Sequence, residues 1–374
     1  MSAAWLVFVL GVGFVVYVLA GYPLLLLFWP VRRGALTRGT AEKTVSVILP
    51  VRNGERWIRA KLDSIFALNY PRELLQVIVI SDGSTDATAA IATAYGGVET
   101  VTLPPSGKAV PLNAGLSRAT GEILFFTDVR QSFHPDALRE LVQRFDDPQV
   151  GAASGELFIR KGDNTGEESV GLYWRYEKWM RKRHAAIDSV LGATGCIYAM
   201  RRELASPLPP DTLNDDMSLP FQAFFQGYRL AFVEEAKAYD VATALDAEFH
   251  RKVRTQAGVY QVIGQFPALL GPGNRMWIHF VSHKLARLLL PFALLATLGS
   301  SFFLQGPWAA WMVGAQIAGY GLAALDPLVP ERNPLKRVTS LTRTFVVLML
   351  AALVGASILF RSSQSFWKRP TVGT

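Results

Sequence analysis

The segment FFTDVRQ, residues 125–131, places a carboxylate directly after a run of apolar residues. Asp128 ends that run, and Arg130 stands two positions later, where a second carboxylate would complete a divalent-cation site. Carboxylate oxygens bind Mg²⁺ or Mn²⁺, whereas a guanidinium binds phosphate oxygens through two parallel hydrogen bonds. Three interpretations remain: a metal site that depends on Asp128 alone, a phosphate site shared with Arg130, or an ordinary strand end in which Arg130 is structural.

Polar side chains also follow two earlier apolar runs. Asn53 and Glu55 come after TVSVILPV, and Asp82 and Asp86 come after LLQVIVIS. Each of these residues alone is typical of a turn or a helix cap. Because ligands bind at the carboxyl ends of parallel strands, three successive polar strand ends predict one shared cleft.

Two further segments could add charge to that cleft. Gly107 and Lys108 precede a predicted helix, where backbone N–H groups and a cation can hold an anion, although a solvated turn has the same pattern. Asp215 and Asp216 precede an amphipathic run. For one of the two, a helix cap favoured by the helix dipole is the simplest interpretation.

The elements that must position these residues alternate between strand-like and helix-like patterns from residue 43 to residue 244. Apolar runs such as TVSVILPV and EILFFTDV predict buried strands, and the spacing in RWIRAKLDSIFAL predicts an amphipathic helix. Strands that alternate with helices indicate an α/β domain with a parallel sheet covered on both faces.

The two ends of the chain have a membrane-protein composition. Half of the 374 residues are hydrophobic and 18% are charged, and the net charge is +8. Because the basic residues flank apolar segments, we expect them to face membrane lipids, with no nucleic acid as a partner. The lone Cys196 excludes an internal disulfide and a multi-cysteine metal site.

The apolar segments predict five regions. Residues 1–30 are an anchor, 43–244 the catalytic domain, 245–284 interfacial amphipathic helices, 285–360 three membrane spans and 361–374 a tail. The predicted spans cover 285–304, 308–325 and 345–360, and the anchor exceeds the roughly 30 Å hydrocarbon core. Basic flanks such as Arg33, Arg38, Arg332 and Arg343 place the catalytic domain on the cytoplasmic side of the cell membrane, and four crossings put Lys368 and Arg369 outside.

In this order the motifs resemble those of membrane-embedded family 2 inverting glycosyltransferases. That group includes cellulose, chitin, hyaluronan and poly-N-acetylglucosamine synthases and many lipid-linked sugar transferases. The resemblance rests on VILPVRNGE, ISDGSTD and GKAVPLNAG and covers nearly the whole chain. It implies a GT-A-type, Rossmann-like mixed sheet flanked by helices and inserted between N-terminal and C-terminal transmembrane helices.

The same resemblance assigns donor-binding residues. It implies a nucleotide-sugar donor, most simply a UDP-sugar, and places Asp82 at the imide edge of uracil and Lys108 near the pyrophosphate. FFTDVRQ falls where the family has Asp-x-Asp, which makes Asp128 the ligand of Mg²⁺ or Mn²⁺. The implied donor site consists of Pro50, Asn53, Glu55, Asp82, Lys108, Asp128, Arg130 and Arg254.

Asn214-Asp215-Asp216 is similar to the family's Thr-Glu-Asp box. The resemblance makes Asp216 the general base that deprotonates an acceptor hydroxyl for direct displacement, and inversion follows from a single displacement. GATGCIYAMRRE resembles the acceptor-site segment, so Gly195, Cys196 and Asp215 are expected beside the acceptor. Cys196 is expected to be a buried small hydrophobe, not a nucleophile.

The largest departure from the family pattern lies in HRKVRTQAG. Processive members have Gln-x-x-Arg-Trp there, and this chain keeps Arg254, assigned to the pyrophosphate, but has Thr255 for the tryptophan. This favours a short or lipid-linked acceptor over a long polymer. Two alternatives remain open: a processive polysaccharide synthase, and a non-catalytic membrane protein that binds a nucleotide or glycan and has no need of Asp216.

Overall fold

The structure is a computed structural model that describes residues 2–32, 39–40, 42–160, 166–241, 245–306, 308–330 and 333–366. For residues 160, 166–174, 241 and 245–248 the description covers the backbone only. The predictions for Arg33, Arg38, Arg332, Lys368 and Arg369 lie outside the described residues.

The helices alternate with strands in the first two thirds of the chain and follow one another in the last third. In chain order they are α1 (Ala3–Phe28), α2 (Glu55–Phe66), α3 (Thr88–Thr93), α4 (Ala109–Arg118), α5 (Ala137–Val142), α6 (Gly166–Ile187), α7 (Asp215–Phe225), α8 (Leu245–Gln265), α9 (Trp277–Ser301), α10 (Trp308–Leu325) and α11 (Leu335–Leu359).

The described strands form one eight-stranded sheet. They are β1 (Val45–Val51), β2 (Leu75–Asp82), β3 (Val98–Leu103), β4 (Ile123–Phe126), β5 (Ser132–Phe133), β6 (Val150–Arg160), β7 (Tyr198–Arg201) and β8 (Arg229–Val241). Their order in the sheet is β3-β2-β1-β4-β7-β6-β8-β5.

The sheet is mixed, with one half that is parallel throughout and a second half that combines antiparallel pairs with the parallel pair of β6 and β8. Strands β3, β2, β1 and β4 run parallel, and β7 is antiparallel to both β4 and β6. The predicted helix on Arg56–Leu68 is present as α2, whose apolar stripe packs on the sheet core. The parallel half therefore presents its strand ends on one edge, as the sequence predicts.

The chain divides into two compact units. The sheet unit consists of Val31–Arg160 and His184–Ala242, and the helical unit of Met1–Pro30, Lys161–Arg183 and Thr243–Thr374. Nearly all of strands β1, β2 and β4 is buried, which explains why they read as continuous apolar runs.

Within the part of the helical unit that the structure describes, three helices are long and apolar enough to cross a membrane: α1, α9 and α11. Helix α9 begins at Trp277, earlier than the predicted 285, and α11 begins at Leu335, earlier than the predicted 345. His283, Lys284, Lys336 and Arg343, all within the first three turns of these helices, lower the hydropathy there, so the sequence did not predict the helix starts. The segment 308–325 forms helix α10 but is not one of these three, so its crossing stays a prediction.

Helices α1 and α9 are joined by polar contacts at two turns of π-helix. These turns cover Tyr17–Gly21 in α1 and Val281–Leu285 in α9. The hydroxyls of Tyr17 and Ser282 lie 2.6 Å apart, and the Tyr22 hydroxyl lies 3.0 Å from Nδ1 of His279. These contacts satisfy polar groups on otherwise apolar helices.

Candidate active site

The carboxyl ends of three adjacent parallel strands carry predicted site residues. Pro50 lies near the end of β1, in register with Ile80 of β2, and Asp82 is the last residue of β2. Asp128 follows β4, which pairs with the other side of β1. The sheet order therefore brings these three residues to one edge.

Lys108 lies between two of the predicted site aspartates. Its Nζ is 3.0 Å from Oδ1 of Asp128 and 3.2 Å from Oδ1 of Asp215. Burial alone would lower the pKa of Lys108, but the charges of Asp128, Asp215 and Asp216 more than offset it and raise this pKa above its ordinary value. The site therefore holds a permanent cation beside Asp128.

The loop before Lys108 is held by Asp82. Oδ1 of Asp82 accepts hydrogen bonds from the backbone N–H of Ser106 at 2.7 Å and from its hydroxyl at 2.9 Å. Oδ2 accepts from the N–H of Gly107 at 3.2 Å, and Gly107 has a φ of 88°, which favours glycine. Asp82 thus positions the Lys108 loop, and its contact with a uracil base stays a prediction.

The two neighbouring aspartates at the start of α7 have different surroundings. Asp215 is buried, with Oδ1 on Lys108 and Oδ2 3.4 Å from the Tyr198 hydroxyl, which donates to it. Asp216 is half-buried, and its backbone carbonyl accepts from the N–H of Ala193 at 2.7 Å. Of the pair, Asp216 has the more accessible position.

Gly195 approaches Asp216 closely. A Cβ added at Gly195 would lie 3.1 Å from Oδ2 of Asp216, tighter than ordinary van der Waals contact. The segment that the sequence assigns to the acceptor therefore borders the carboxylate that it assigns to the base. Glycine leaves room there that a side chain would occupy.

Cys196 packs inside the sheet unit. Its side chain is 4% exposed, and its backbone carbonyl accepts a hydrogen bond from the Thr127 hydroxyl at 2.8 Å. Burial, and next the charge of Asp128, raise the pKa of the thiol to about 12. The thiol therefore stays protonated at neutral pH, as expected of a buried hydrophobe.

Asn53 and Glu55 bind the loop after β2. The Asn53 side-chain oxygen accepts from the N–H of Thr85 at 2.9 Å. Oε2 of Glu55 accepts from the N–H of Ala87 at 3.1 Å, and Oδ2 of Asp86 accepts from the N–H of Glu55 at 3.0 Å. These reciprocal bonds cap the starts of α2 and α3, and donor contacts by Asn53 and Glu55 stay predictions.

Arg130 forms an ion pair with the buried Asp240 of β8. The same carboxylate oxygen accepts from Nε2 of Gln131 at 2.8 Å. The arrangement favours the structural interpretation of Arg130, because the guanidinium compensates a buried carboxylate. Arg254, the other predicted phosphate-binding arginine, lies on α8 of the helical unit, and its role stays a prediction.

Three residues of this site were missed by the sequence reading: Tyr198, Asp240 and Lys61. No sequence pattern predicted Tyr198 or Asp240, because a tyrosine or an aspartate in a strand-like segment is common and indicates no particular function. Lys61 could have been noticed, since it occupies the core-facing stripe of α2 with Ile58, Leu62 and Ile65.

Among the described residues, no group of three or more His, Cys, Asp or Glu side chains could hold a metal ion.

Lys108, which precedes α4, meets the carboxylates of Asp128 and Asp215 at the carboxyl edge of a mixed sheet, an arrangement that suits a transferase with a phosphorylated donor. The sequence profile described as "Glycosyl transferase family 2" matches residues 46–208. The profile described as "Glycosyl transferase family group 2" matches residues 128–325, more than half of the chain. The chain belongs to this family and is a glycosyltransferase, which confirms the predicted enzyme class.

Named relatives are similar over different lengths. The Bacillus subtilis protein named probable glycosyltransferase YdaM is 26% identical over 52% of this chain and 50% of its own length. An N-acetylglucosaminyltransferase of Mesorhizobium japonicum is 26% identical over 90% of this chain and 84% of its own length. A beta-monoglucosyldiacylglycerol synthase of Synechocystis is 24% identical over 88% of this chain and 75% of its own length.

One solved structure is similar along almost the whole chain. The mannosyltransferase PcManGT from Pyrobaculum calidifontis, in complex with GDP-Man and Mn²⁺, has a TM-score of 0.70 at 23% identity. The match covers 93% of this chain and 98% of that one. The predicted GT-A-type fold is thereby confirmed.

Proposed function

We propose that this enzyme transfers a hexosyl group, with inversion, from a nucleoside diphosphate sugar to a hydroxyl of a membrane-associated acceptor. The observation that supports this most is the difference between Asp215 and Asp216. Lys108 and Tyr198 engage Asp215, whereas Asp216 is the more accessible and borders Gly195. A general base needs such a position within reach of the acceptor hydroxyl.

The proposed reaction is a single displacement. A carboxylate oxygen of Asp216 takes the proton of the acceptor hydroxyl while the hydroxyl oxygen of the acceptor attacks the anomeric carbon. The bond from this carbon to the phosphate oxygen breaks, and the nucleoside diphosphate leaves with the electron pair. Lys108 neutralises part of the negative charge that develops on the leaving group. A single attack from the opposite face inverts the anomeric configuration.

The residues present fit a hard divalent cation held jointly with the donor. Asp128 supplies a carboxylate whose side chain is 40% exposed, and phosphate oxygens of the donor would complete the coordination by Mg²⁺ or Mn²⁺. When bound, the cation would act as a Lewis acid on the phosphoryl oxygens. We prefer a UDP-sugar as the donor, although the similar archaeal structure holds GDP-Man.

A lipid-linked or short glycan acceptor is favoured over a growing polymer. Thr255 stands where processive enzymes of this kind have a stacking tryptophan, and its hydroxyl donates to the Arg251 carbonyl of its own helix at 3.0 Å. The name of the Synechocystis relative points to a glycolipid product. We place the enzyme in the cell membrane, with the sheet unit on the cytoplasmic side.

The test is donor turnover by the purified full chain in detergent with membrane lipid extract. Labelled UDP-glucose, UDP-N-acetylglucosamine and GDP-mannose are supplied, and products are identified by mass spectrometry. We expect Asp216→Asn to lower kcat by about a hundredfold or more while donor binding persists. Asp63→Asn, on the exposed face of α2, is the matched control. Unchanged turnover in Asp216→Asn would remove Asp216 from the role of base.

A further inference from the structure

Lys61 is a lysine in the core of the sheet unit. It lies on α2 and is 2% exposed, beside Ile58, Leu62 and Ile65, which are 0% exposed. Its Nζ lies 3.6 Å from the centre of the Phe133 ring. A long cationic side chain in this position is unusual, since lysine is almost never fully buried unless it has specific partners.

The partners of Lys61 are the two ends of one loop. Its Nζ donates to the Thr127 hydroxyl oxygen at 2.7 Å and to the Gln131 carbonyl at 2.7 Å. The loop from Thr127 to Gln131 carries Asp128 and Arg130. A single ammonium group therefore fixes both ends of the loop that presents the proposed metal ligand.

The same contacts continue to the other side of the cleft. The Thr127 hydroxyl accepts from Lys61 and donates to the Cys196 carbonyl at 2.8 Å. Cys196 follows Gly195, the residue that borders the Asp216 carboxylate. Lys61, Thr127 and the Cys196 backbone thus link the loop of Asp128 with the segment beside Asp216.

Placing a charged group in the core costs stability. Burial lowers the pKa of Lys61 to about 7, and the nearby Cys196 and Asp128 offset that effect only in part. A methionine of similar length would pack in the same volume without the desolvation cost of a charge. Packing alone therefore does not account for a lysine at this position.

We propose that Lys61 is a positioning residue, whose Nζ fixes the Thr127–Gln131 loop and, through the Thr127 hydroxyl, the Cys196 backbone, so that Asp128 and Asp216 keep the relative placement that sugar transfer requires. This inference rests on the proposed function. Lys61 touches neither the donor nor the acceptor, and it acts through Thr127 and the backbone of Gln131.

The test compares Lys61→Met with Thr127→Val, two changes that break the same contact from opposite sides. Both are assayed well below their Tm, so that only folded enzyme is compared. We expect each variant to lower kcat about tenfold or more and to raise the Mn²⁺ concentration at half activation, with a smaller change in the donor KM. The loss in the double variant should be clearly smaller than the product of the two single losses, because both changes remove the Lys61–Thr127 bond.

Two variants serve as controls. Lys237→Met removes another lysine that lies over an aromatic ring, 5.6 Å from Phe158, and should leave kcat within twofold. Thr127→Ser keeps the hydroxyl and should restore most of the activity that Thr127→Val loses. If Lys61→Met fails to fold, the comparison of Thr127→Val with Thr127→Ser still tests whether the hydroxyl that binds Lys61 is needed for turnover.

The proposal would be overturned if both single variants kept kcat within twofold of the wild type, or if their effects multiplied in the double variant. Amide hydrogen exchange of a peptide covering residues 125–133 gives a readout that needs no turnover. It should become faster in Lys61→Met and stay unchanged in Lys237→Met. If the wild type transfers no sugar, the proposed function fails, while unchanged exchange in Lys61→Met refutes the link itself.

Discussion

The proposed cleft has two regions, here named the nucleotide end and the transfer end after their proposed roles, that use the same residue types in different ways. The nucleotide end consists of Asn53, Glu55, Asp82 and Asp86, and the transfer end of Lys108, Asp128, Asp215 and Asp216. At the nucleotide end the carboxylates and the amide accept hydrogen bonds from backbone N–H groups of neighbouring loops. At the transfer end carboxylates face an ammonium group.

We infer from this difference that the residues of the nucleotide end mainly hold loops in place, whereas those of the transfer end are available for the reaction. A carboxylate bound to backbone N–H groups fixes the loops, and moving it would break local structure. A carboxylate such as Asp128, paired with a lysine side chain and partly exposed, can exchange that partner for a phosphate-bound cation at little cost to the fold. We therefore expect substitutions at the nucleotide end to reduce stability and those at the transfer end to reduce turnover.

The largest effect is expected for Lys108→Met at the transfer end. Removing the cation leaves Asp128, Asp215 and Asp216 without their shared counter-charge and removes a group that stabilises the leaving diphosphate. We expect kcat/KM for the donor to fall roughly a hundredfold to a thousandfold. Steady-state kinetics measures this, with Lys43→Met, which breaks an ion pair with Asp146, as the control. A fall of less than threefold would contradict the role of Lys108.

An intermediate effect is expected for Arg130→Met. This change tests whether Arg130 stabilises the fold, like the residues of the nucleotide end, or takes part in turnover, like those of the transfer end. The change leaves the buried Asp240 with Gln131 and without its ionic partner, so we expect a loss of about 1–3 kcal/mol in the free energy of unfolding. Chemical unfolding in detergent measures it, and the Mn²⁺ dependence of turnover should not change. Asp240→Asn in the same chain should recover part of the stability.

A stronger dependence of Arg130→Met on added Mn²⁺, with stability unchanged, would give the opposite answer. It would return Arg130 to the phosphate-binding interpretation that the sequence left open.

The smallest effect is expected for Glu55→Ala at the nucleotide end. The change removes the acceptor of the Ala87 N–H and leaves the start of α3 with one capping bond fewer. We expect a loss of about 1 kcal/mol in the free energy of unfolding and a change of less than threefold in the donor KM. Thermal unfolding and donor titration measure the two quantities. A raised KM at unchanged stability would instead make Glu55 a donor-binding residue.

The sequence predicted which residues lie close together better than it predicted the partners of each residue. Asp82, Lys108 and Asp128 follow strands or open a helix in a fixed order, and parallel strand ends meet at one edge, so their proximity follows from the pattern. Asp82 accepts hydrogen bonds from Ser106 and Gly107, which lie more than twenty residues later in the chain. These bonds depend on how the loop that contains Ser106 and Gly107 returns to the end of β2. No local pattern contains that information.

Two other features escaped the sequence for different reasons. Lys61 was not predicted as a site residue. The helical periodicity shows that it lies on the buried stripe of α2, but the partners of its Nζ come from a distant loop and are seen only in the folded structure. The early starts of α9 and α11 were missed because polar residues lower the hydropathy of their first turns. In the structure Lys336 is paired with Asp326 at 3.3 Å, and Ser282 with Tyr17, so these polar groups are compatible with an apolar helix.

The paired π-turns of α1 and α9 have a consequence for the response to bilayer thickness. A π-turn adds one residue to a helical turn and rotates everything beyond it, so the Tyr17–Ser282 contact between the two turns and the Tyr22–His279 contact beside them depend on one axial register of the helices. Helices locked in this way cannot slide past each other when the membrane thins or thickens. If both cross the bilayer, they adapt to hydrophobic mismatch by tilting together as one rigid pair.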